Sequence, residues 1–160
     1  MIFVTVGSTE FDALVEQVDR LAPRLDEQVI SQIGLGRYRP THCDHFRFAP
    51  SLDEQFRRAR LIIGHGGLGT AMEVIRLGRP FVGVSNPDRP DAHQDEILAK
   101  LEAGGHLVWC RSLDALAESI DRAGKLLFSP YVEPECRIPA LIARSLSTRL
   151  SRRRTSTMDW

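Results

Sequence analysis

Short β-branched runs that stop at a glycine and hand over to a helical pattern recur along this sequence, and that rhythm admits few architectures. Ile2 to Val6 ends at Gly7, and Thr9 to Asp12 reads as a capping-box-like helix start ahead of Leu14, Val15, Val18 and Leu21 at helical spacing. Val29 to Ile33 is a second strand closed by Gly34 and Gly36, and His45 to Phe48 a third, with no long helix between them. Ser51-Leu52-Asp53-Glu54 reads as a capping box opening a short helix to Ala59, and Leu61-Ile62-Ile63 is a strand running into a glycine-rich turn. A helix from Thr70 to Leu77, a strand from Phe81 to Val84, a helix from Asp91 or Ala92 to Leu101 and a strand from His106 to Trp109 complete the alternation. Leu113, Leu116, Ile120 and Leu127 mark one more amphipathic helix. Strands alternating with helices through short turns predict an α/β fold: a single doubly wound, Rossmann-like domain with a parallel sheet covered on both faces.

With 160 residues the chain has room for one domain, expected over residues 1–150. Within it, residues 136–150 hold a further helical pattern, apolar at Ile138, Leu141, Ile142, Leu146 and Leu150 with arginines between. This segment is either a docking helix for a partner or a helix folded back on its own sheet. Residues 151–160, with Arg152, Arg153 and Arg154 and no apolar period, are expected to be a disordered basic tail, with contact to an anionic membrane surface as the alternative.

Charge argues against one class of partner. Lys plus Arg and Asp plus Glu number 21 each, so no overall positive field gathers nucleic-acid phosphates. Cys43, Cys110 and Cys136 are odd in number and widely spaced, which fits buried thiols rather than disulfides or a metal site, and no metal or cofactor is expected. Met1 to Val6 lacks the basic start and long apolar stretch of a signal peptide, and no run reaches the roughly 20 apolar residues of a membrane span. The expected location is cytoplasmic.

The chemistry concentrates in Gly64-His65-Gly66-Gly67-Leu68-Gly69-Thr70, between a predicted strand and a predicted helix. Glycines allow close approach of a ligand, and the N–H groups and dipole of a helix N-terminus favour a phosphate. Gly64, Gly66 and Gly69 also spell the dinucleotide fingerprint, with Asp88 about 20 residues on. That fingerprint belongs on the first strand of its unit, however, whereas three predicted strands precede it here. If the first and fourth strands are neighbours, Gly7, Ser8 and Thr9 face Gly64 to Thr70 across one crevice, and two helix N-termini suit a diphosphate. Ser8 and Thr9 then serve as hydroxyl donors or as helix caps. Glu73 is placed to accept hydrogen bonds from a ribose diol, or is simply an acid in a helix's first turn. Asn86, His93, Gln94 and Glu96 gather at the same end, where amides and imidazole suit sugar hydroxyls.

Taken together, VTVGST followed by FD, then IIGHGGLGTAMEVIRLGRP, then VSNPDRPDAHQDEIL resembles the C-terminal, donor-binding domain of glycosyltransferase family 28, over roughly residues 1–128. The likeness extends to the small catalytic subunits of two-chain transferases, both the eukaryotic dolichol-linked N-acetylglucosaminyltransferase and bacterial exopolysaccharide enzymes. It implies one half of a GT-B architecture and an inverting hexosyltransferase that takes a sugar from a nucleotide sugar, normally UDP-linked. By this match Gly7, Gly64, Gly66, Gly67 and Gly69 lie at the diphosphate, Glu73 at the ribose, and His93 and Gln94 at the sugar. His65 is a candidate donor to the leaving diphosphate, or a residue that packs the turn. The resemblance further implies a lipid-linked saccharide acceptor and a membrane-anchored, acceptor-binding partner that holds the chain at the inner face of the membrane. The isolated chain is expected to be inactive, and no general base is assigned. The same motifs would also serve a non-catalytic nucleotide-sugar-binding partner of another transferase.

Overall fold

A computed structural model describes residues 1–87, 93–133, 135–136, 138–139 and 141–143. Strands β1 (Ile2–Thr5), β2 (Val29–Gln32), β3 (Asp44–Phe46), β4 (Leu61–His65), β5 (Phe81–Val84) and β6 (Val108–Cys110) form one sheet in the order β3-β2-β1-β4-β5-β6, with every pair parallel. Helices α1 (Asp12–Leu21), α2 (Asp53–Arg58), α3 (Leu68–Arg76), α4 (His93–Ala103) and α5 (Leu116–Lys125) cover it. The order reverses between β1 and β4, so the expected doubly wound fold and its switch point are present.

Alternation along each strand divides the core in two. Ile2, Val4, Leu61, Ile63, Val82 and Val84 face Leu14, Val15 and Val18 of α1 and Leu116 and Ile120 of α5. Phe3, Ile62 and Phe81 point the other way, against Phe56 of α2, Val74 and Ile75 of α3 and Leu98 of α4. The central strands are apolar on both faces because both are covered, which is why they read as continuous β-branched runs rather than alternating ones.

The crossover from β2 to β3 carries no helix, as expected, and a buried carboxylate organises it instead. Asp19 of α1 is 1% exposed and accepts hydrogen bonds from Thr41 N (3.1 and 3.0 Å to its two oxygens), His42 N (2.7 Å) and Tyr38 Oη (2.9 Å). Burial by itself pushes this carboxyl upward, but the Thr41 and His42 N–H groups, with Tyr38 and Cys43, outweigh it and hold the group well below the usual carboxylate range. At the opposite edge, Glu102 accepts from Trp109 N (3.1 Å) and pairs with Arg111 and Arg122, which caps a strand-edge donor that would otherwise be open to pairing.

Several sequence expectations are corrected. Neither predicted capping box forms. The residue before α1 is Phe11, with no side-chain cap, and Ser51 Oγ accepts from Asp53 N (3.1 Å) in a local turn ahead of α2. β4 runs on through Gly64 and His65, and α3 begins at Leu68 rather than Thr70. The third and last strands shift to Asp44–Phe46 and Val108–Cys110. Leu127 is not on the α5 face: the helix ends at Lys125 and Leu127 is 100% exposed. In the segment expected as a docking helix, residues 138–139 and 141–143 are helical, with Ile138, Leu141 and Ile142 exposed. Apart from exposed Cys136, the remainder of that segment, the basic tail, Asp88 and the expected start of α4 at Asp91 or Ala92 lie outside the described residues.

Candidate functional site

Adjacency of β1 and β4 brings the Gly7 turn and the Gly64–Thr70 turn side by side at the carboxyl end of the sheet. Gly7 has φ +64°, a left-handed conformation that favours glycine. A Cβ on Gly7 would lie 3.0 Å from His65 Cε1, and one on Gly67 would lie 2.4 Å from His65 Nε2. The imidazole therefore sits between the two glycine turns, held by close approach from both sides.

The glycines of the second turn do different jobs. Gly64 lies under the Phe81 ring, where a Cβ would come within 3.0 Å. Gly66 admits helix α4, since a Cβ there would meet Leu98 Cδ1 at 2.8 Å and Gln94 Cβ at 3.2 Å. Gly67 makes room for His65. Gly69 has nothing within 4 Å of its would-be Cβ and is exposed at the start of α3. Gly64 and Gly66 are thus explained by packing, while Gly69 borders open space where a ligand can lie.

The start of α3 is chemically bare. Its N-cap, Gly67, offers no side-chain oxygen and its first turn holds no acid. The N–H groups of Leu68, Gly69 and Thr70 precede the first bond of the helical ladder, in which Ala71 N donates to Gly67 O (3.1 Å). An uncapped N-terminus with its dipole positive outward is a site for an anion. By contrast α2, which faces no glycine turn, carries Asp53 and Glu54 in its first turn.

Thr9 does not cap α1; its Oγ1 donates to Val6 O (2.8 Å) and closes the Gly7 turn, while Ser8 is exposed. Glu73 is also exposed, and as the sixth residue of α3 it lies in the second turn. The helix-dipole explanation for an acid at this position therefore falls away. Asn86 follows β5, where its backbone N donates to Gln94 Oε1 (3.0 Å) and its side-chain amide to Glu10 O (3.3 Å). These two bonds tie the loop after β5 to α4 and to the Gly7 turn. His93, exposed, opens α4. The structure thus brings Gly7, Ser8, His65, Gly67, Gly69, Thr70, Asn86 and Gln94 to one end of the sheet, with His93 at the first turn of α4 and Glu73 on the flank of α3.

Two positioning residues escaped the sequence reading. Buried Thr5 donates through Oγ1 to Gln32 Oε1, Gln32 Nε2 donates to Gly7 O (3.1 Å), and Gly7 N donates to Thr5 Oγ1 (3.1 Å). This closed set fixes both polar groups of the Gly7 peptide inside the sheet. A signal existed: Thr5 and Gln32 are polar letters inside the apolar runs IFVTV and VISQI. Among the described residues there is no group of His, Cys, Asp and Glu that could hold a metal ion, and no helix long and apolar enough to cross a membrane.

Comparison with known proteins gives the family and the fold. The profile of the glycosyltransferase family 28 C-terminal domain matches residues 1–131. The UDP-N-acetylglucosamine transferase subunit ALG13 of Homo sapiens is 33% identical over 122 residues, 68% of this chain and 11% of the human protein. The protein of that name from Yarrowia lipolytica is 26% identical over 156 residues, covering 84% of this chain and 78% of its own. Among solved structures, Acinetobacter baumannii MurG superposes with a TM-score of 0.61 at 22% identity, over 76% of this chain and 40% of that one. The fold is accordingly one Rossmann-like domain of the GT-B kind, and the chain belongs to the glycosyltransferase family 28 C-terminal domain family.

Proposed function

We propose that this chain is the donor-binding catalytic subunit of an inverting glycosyltransferase. It takes a hexose from a nucleotide sugar, UDP-linked, and passes it to a lipid-linked saccharide in exopolysaccharide synthesis, together with a membrane-anchored partner that binds the acceptor. The observation that carries the reading is the uncapped N-terminus of α3 beside an imidazole clasped by Gly7 and Gly67 at the sheet's switch point. The human and Yarrowia relatives, named as UDP-N-acetylglucosamine transferase subunits, support the donor class and the need for a second chain.

In this reading the acceptor hydroxyl attacks the anomeric carbon from the face opposite the diphosphate, and the glycosidic bond forms as the bond to the diphosphate oxygen breaks. Charge builds on the departing diphosphate. The N–H groups of Leu68, Gly69 and Thr70 and the dipole of α3 stabilise it, already oriented before the reaction begins. His65 donates a hydrogen bond to the same oxygens. Glu73 takes the ribose hydroxyls, Ser8 contacts the diphosphate, and Asn86, His93 and Gln94 face the sugar. The general base belongs to the partner. The exposed Ile138, Leu141 and Ile142 are the chain's side of the docking contact.

The test mixes the purified chain with its partner and a UDP-sugar. Turnover should need both chains and fall at least tenfold with Glu73→Ala, while UDP and not NADH raises the melting temperature of this chain. Full activity of the Glu73→Ala pair would remove the donor-site assignment. UDP binding without any contribution to turnover would recast the chain as a non-catalytic partner. Truncation after Pro134 should abolish co-purification with the partner but keep the UDP shift.

A further inference from the structure

The chain leaves β5 at Val84, whose carbonyl accepts from Gly66 N (2.8 Å) at the end of the strand. Past that bond, side chains hold the next two residues. Trp109 Nε1, from the edge strand β6, donates to Ser85 Oγ (3.0 Å). Asn86 N donates to Gln94 Oε1 of α4 (3.0 Å), and Asn86 Nδ2 donates to Glu10 O (3.3 Å). Consecutive residues are thus tethered to β6, to α4 and to the segment ahead of α1. Of the three tethers, the one to Ser85 is rooted in the sheet itself.

Trp109 is in turn held firmly. Its backbone N donates to Glu102 Oε1 (3.1 Å), and the Arg111 guanidinium lies over its ring, with Cζ 4.0 Å from the ring centre. Arg111 Nη2 and Arg122 Nη2 both donate to the Glu102 carboxylate (2.9 and 2.8 Å), which fixes the cation above the indole. The half-buried ring also packs against the core layer that contains Phe3, Phe81 and Leu98. Packing at this position asks only for an aromatic body. The indole N–H is an addition that phenylalanine would not supply, and it is spent on the first residue after β5.

We propose that Trp109 is a positioning residue for sugar recognition. Through the Ser85 hydroxyl it fixes the segment that presents Asn86 and that engages Gln94 by the Asn86 N–H. The proposal rests on the transferase reading, in which Asn86, His93 and Gln94 face the sugar while the diphosphate lies at the start of α3. Those two parts of the donor meet different elements, so loosening the Ser85 tether weakens the hold on the sugar and leaves the hold on the nucleotide. A tether of one net hydrogen bond corresponds to about 2- to 10-fold in binding.

The test is calorimetric titration of the full chain with UDP, UDP-glucose, UDP-galactose, UDP-N-acetylglucosamine and UDP-glucuronic acid. The wild type should bind one of the UDP-sugars in preference to the others. Trp109→Phe, which keeps the ring beneath Arg111, should leave the Kd of UDP unchanged, weaken the preferred UDP-sugar about 2- to 10-fold and narrow its lead over the rest. Ser85→Ala should do the same, and Trp109→Phe/Ser85→Ala should lose no more than either single variant, because both remove one bond. Ser85→Thr, which keeps the hydroxyl, should retain the preference. Val108→Ala, a core truncation in the same strand, should lower the melting temperature without narrowing the preference. Failure of the wild type to bind UDP would remove the donor-site reading and the proposal with it. With UDP binding intact, the positioning role alone is overturned if the wild type does not discriminate among the sugars, if Trp109→Phe keeps the full preference, if the losses in the double variant add, or if Val108→Ala narrows the preference equally.

Discussion

Replacing Gly69 by aspartate should move stability and ligand binding in opposite directions. The site is open, with no atom within 4 Å of a new Cβ, and φ there is not in the left-handed region, so the substitution brings neither clash nor backbone strain. Aspartate is a slightly better helix residue than glycine, by a few tenths of a kcal/mol. A negative charge in the first turn of α3, which has no acid of its own, adds about 0.3–1 kcal/mol from the helix dipole. The sum is about 1 kcal/mol, which for a chain of this size raises the melting temperature by about 2–4 °C. A diphosphate drawn to the same N–H groups now meets a fixed carboxylate in its place. For the wild type, UDP at a hundred times its Kd stabilises by about 2.7 kcal/mol, or about 5–11 °C. In Gly69→Asp that increment should vanish. Thermal melts of both proteins with and without UDP, at constant ionic strength, read both effects. A variant that keeps the full UDP increment would refute the placement of the diphosphate at the start of α3. One that simply unfolds would refute the claim that Gly69 borders open space.

Gly66→Val and Gly83→Val should both destabilise by about 1–3 kcal/mol or more and lower the denaturation midpoint without ligand, because their side chains run into Leu98 at 2.8 and 2.3 Å. Gly66→Val is therefore a packing variant, and wild-type stability in it would contradict the contact. Asp19→Asn should cost about 2–4 kcal/mol at pH 7 by weakening a buried set of hydrogen bonds to a charge. Since the folded group is held below its ordinary value, its stabilisation is present above the unfolded pKa near 4 and is lost as pH falls through that value toward the folded one. Urea midpoints from pH 7 down to pH 3 should accordingly drop more steeply for the wild type than for Asp19→Asn. In alkylation at pH 8, exposed Cys136 should react in the native protein, whereas Cys43, whose thiol burial pushes up to about 11, and buried Cys110 should react only after denaturation; peptide mapping reads this directly.

Local sequence carried the architecture because its cues are short-range. An apolar run followed by a short turn and helical spacing prefers β-turn-α, and a chain in which that alternation dominates leaves the doubly wound sheet as the economical way to cover both faces. The same cues located the glycine turn and the Gly7 loop, since each is a contiguous stretch with its own composition. What they left undecided is which neighbour each residue meets. Gly64, Gly66, Gly67 and Gly69 are alike as letters, yet one lies under Phe81, one admits Leu98, one makes room for His65 and one is open; only the packing of β4 between β1 and β5 and beneath α4 tells them apart. Capping was misread at Thr9 and Ser51 because hydroxyls satisfy a nearby turn as readily as a helix end, and the surrounding turn settles the choice. Thr5, Gln32 and Asp19 take their meaning from partners 24 residues or more away in several of their bonds, such as Gln32 to Gly7 and Asp19 to Cys43. A buried polar group is tolerated only when its partners arrive from other elements, so its role is a property of the assembled sheet rather than of its own strand or helix.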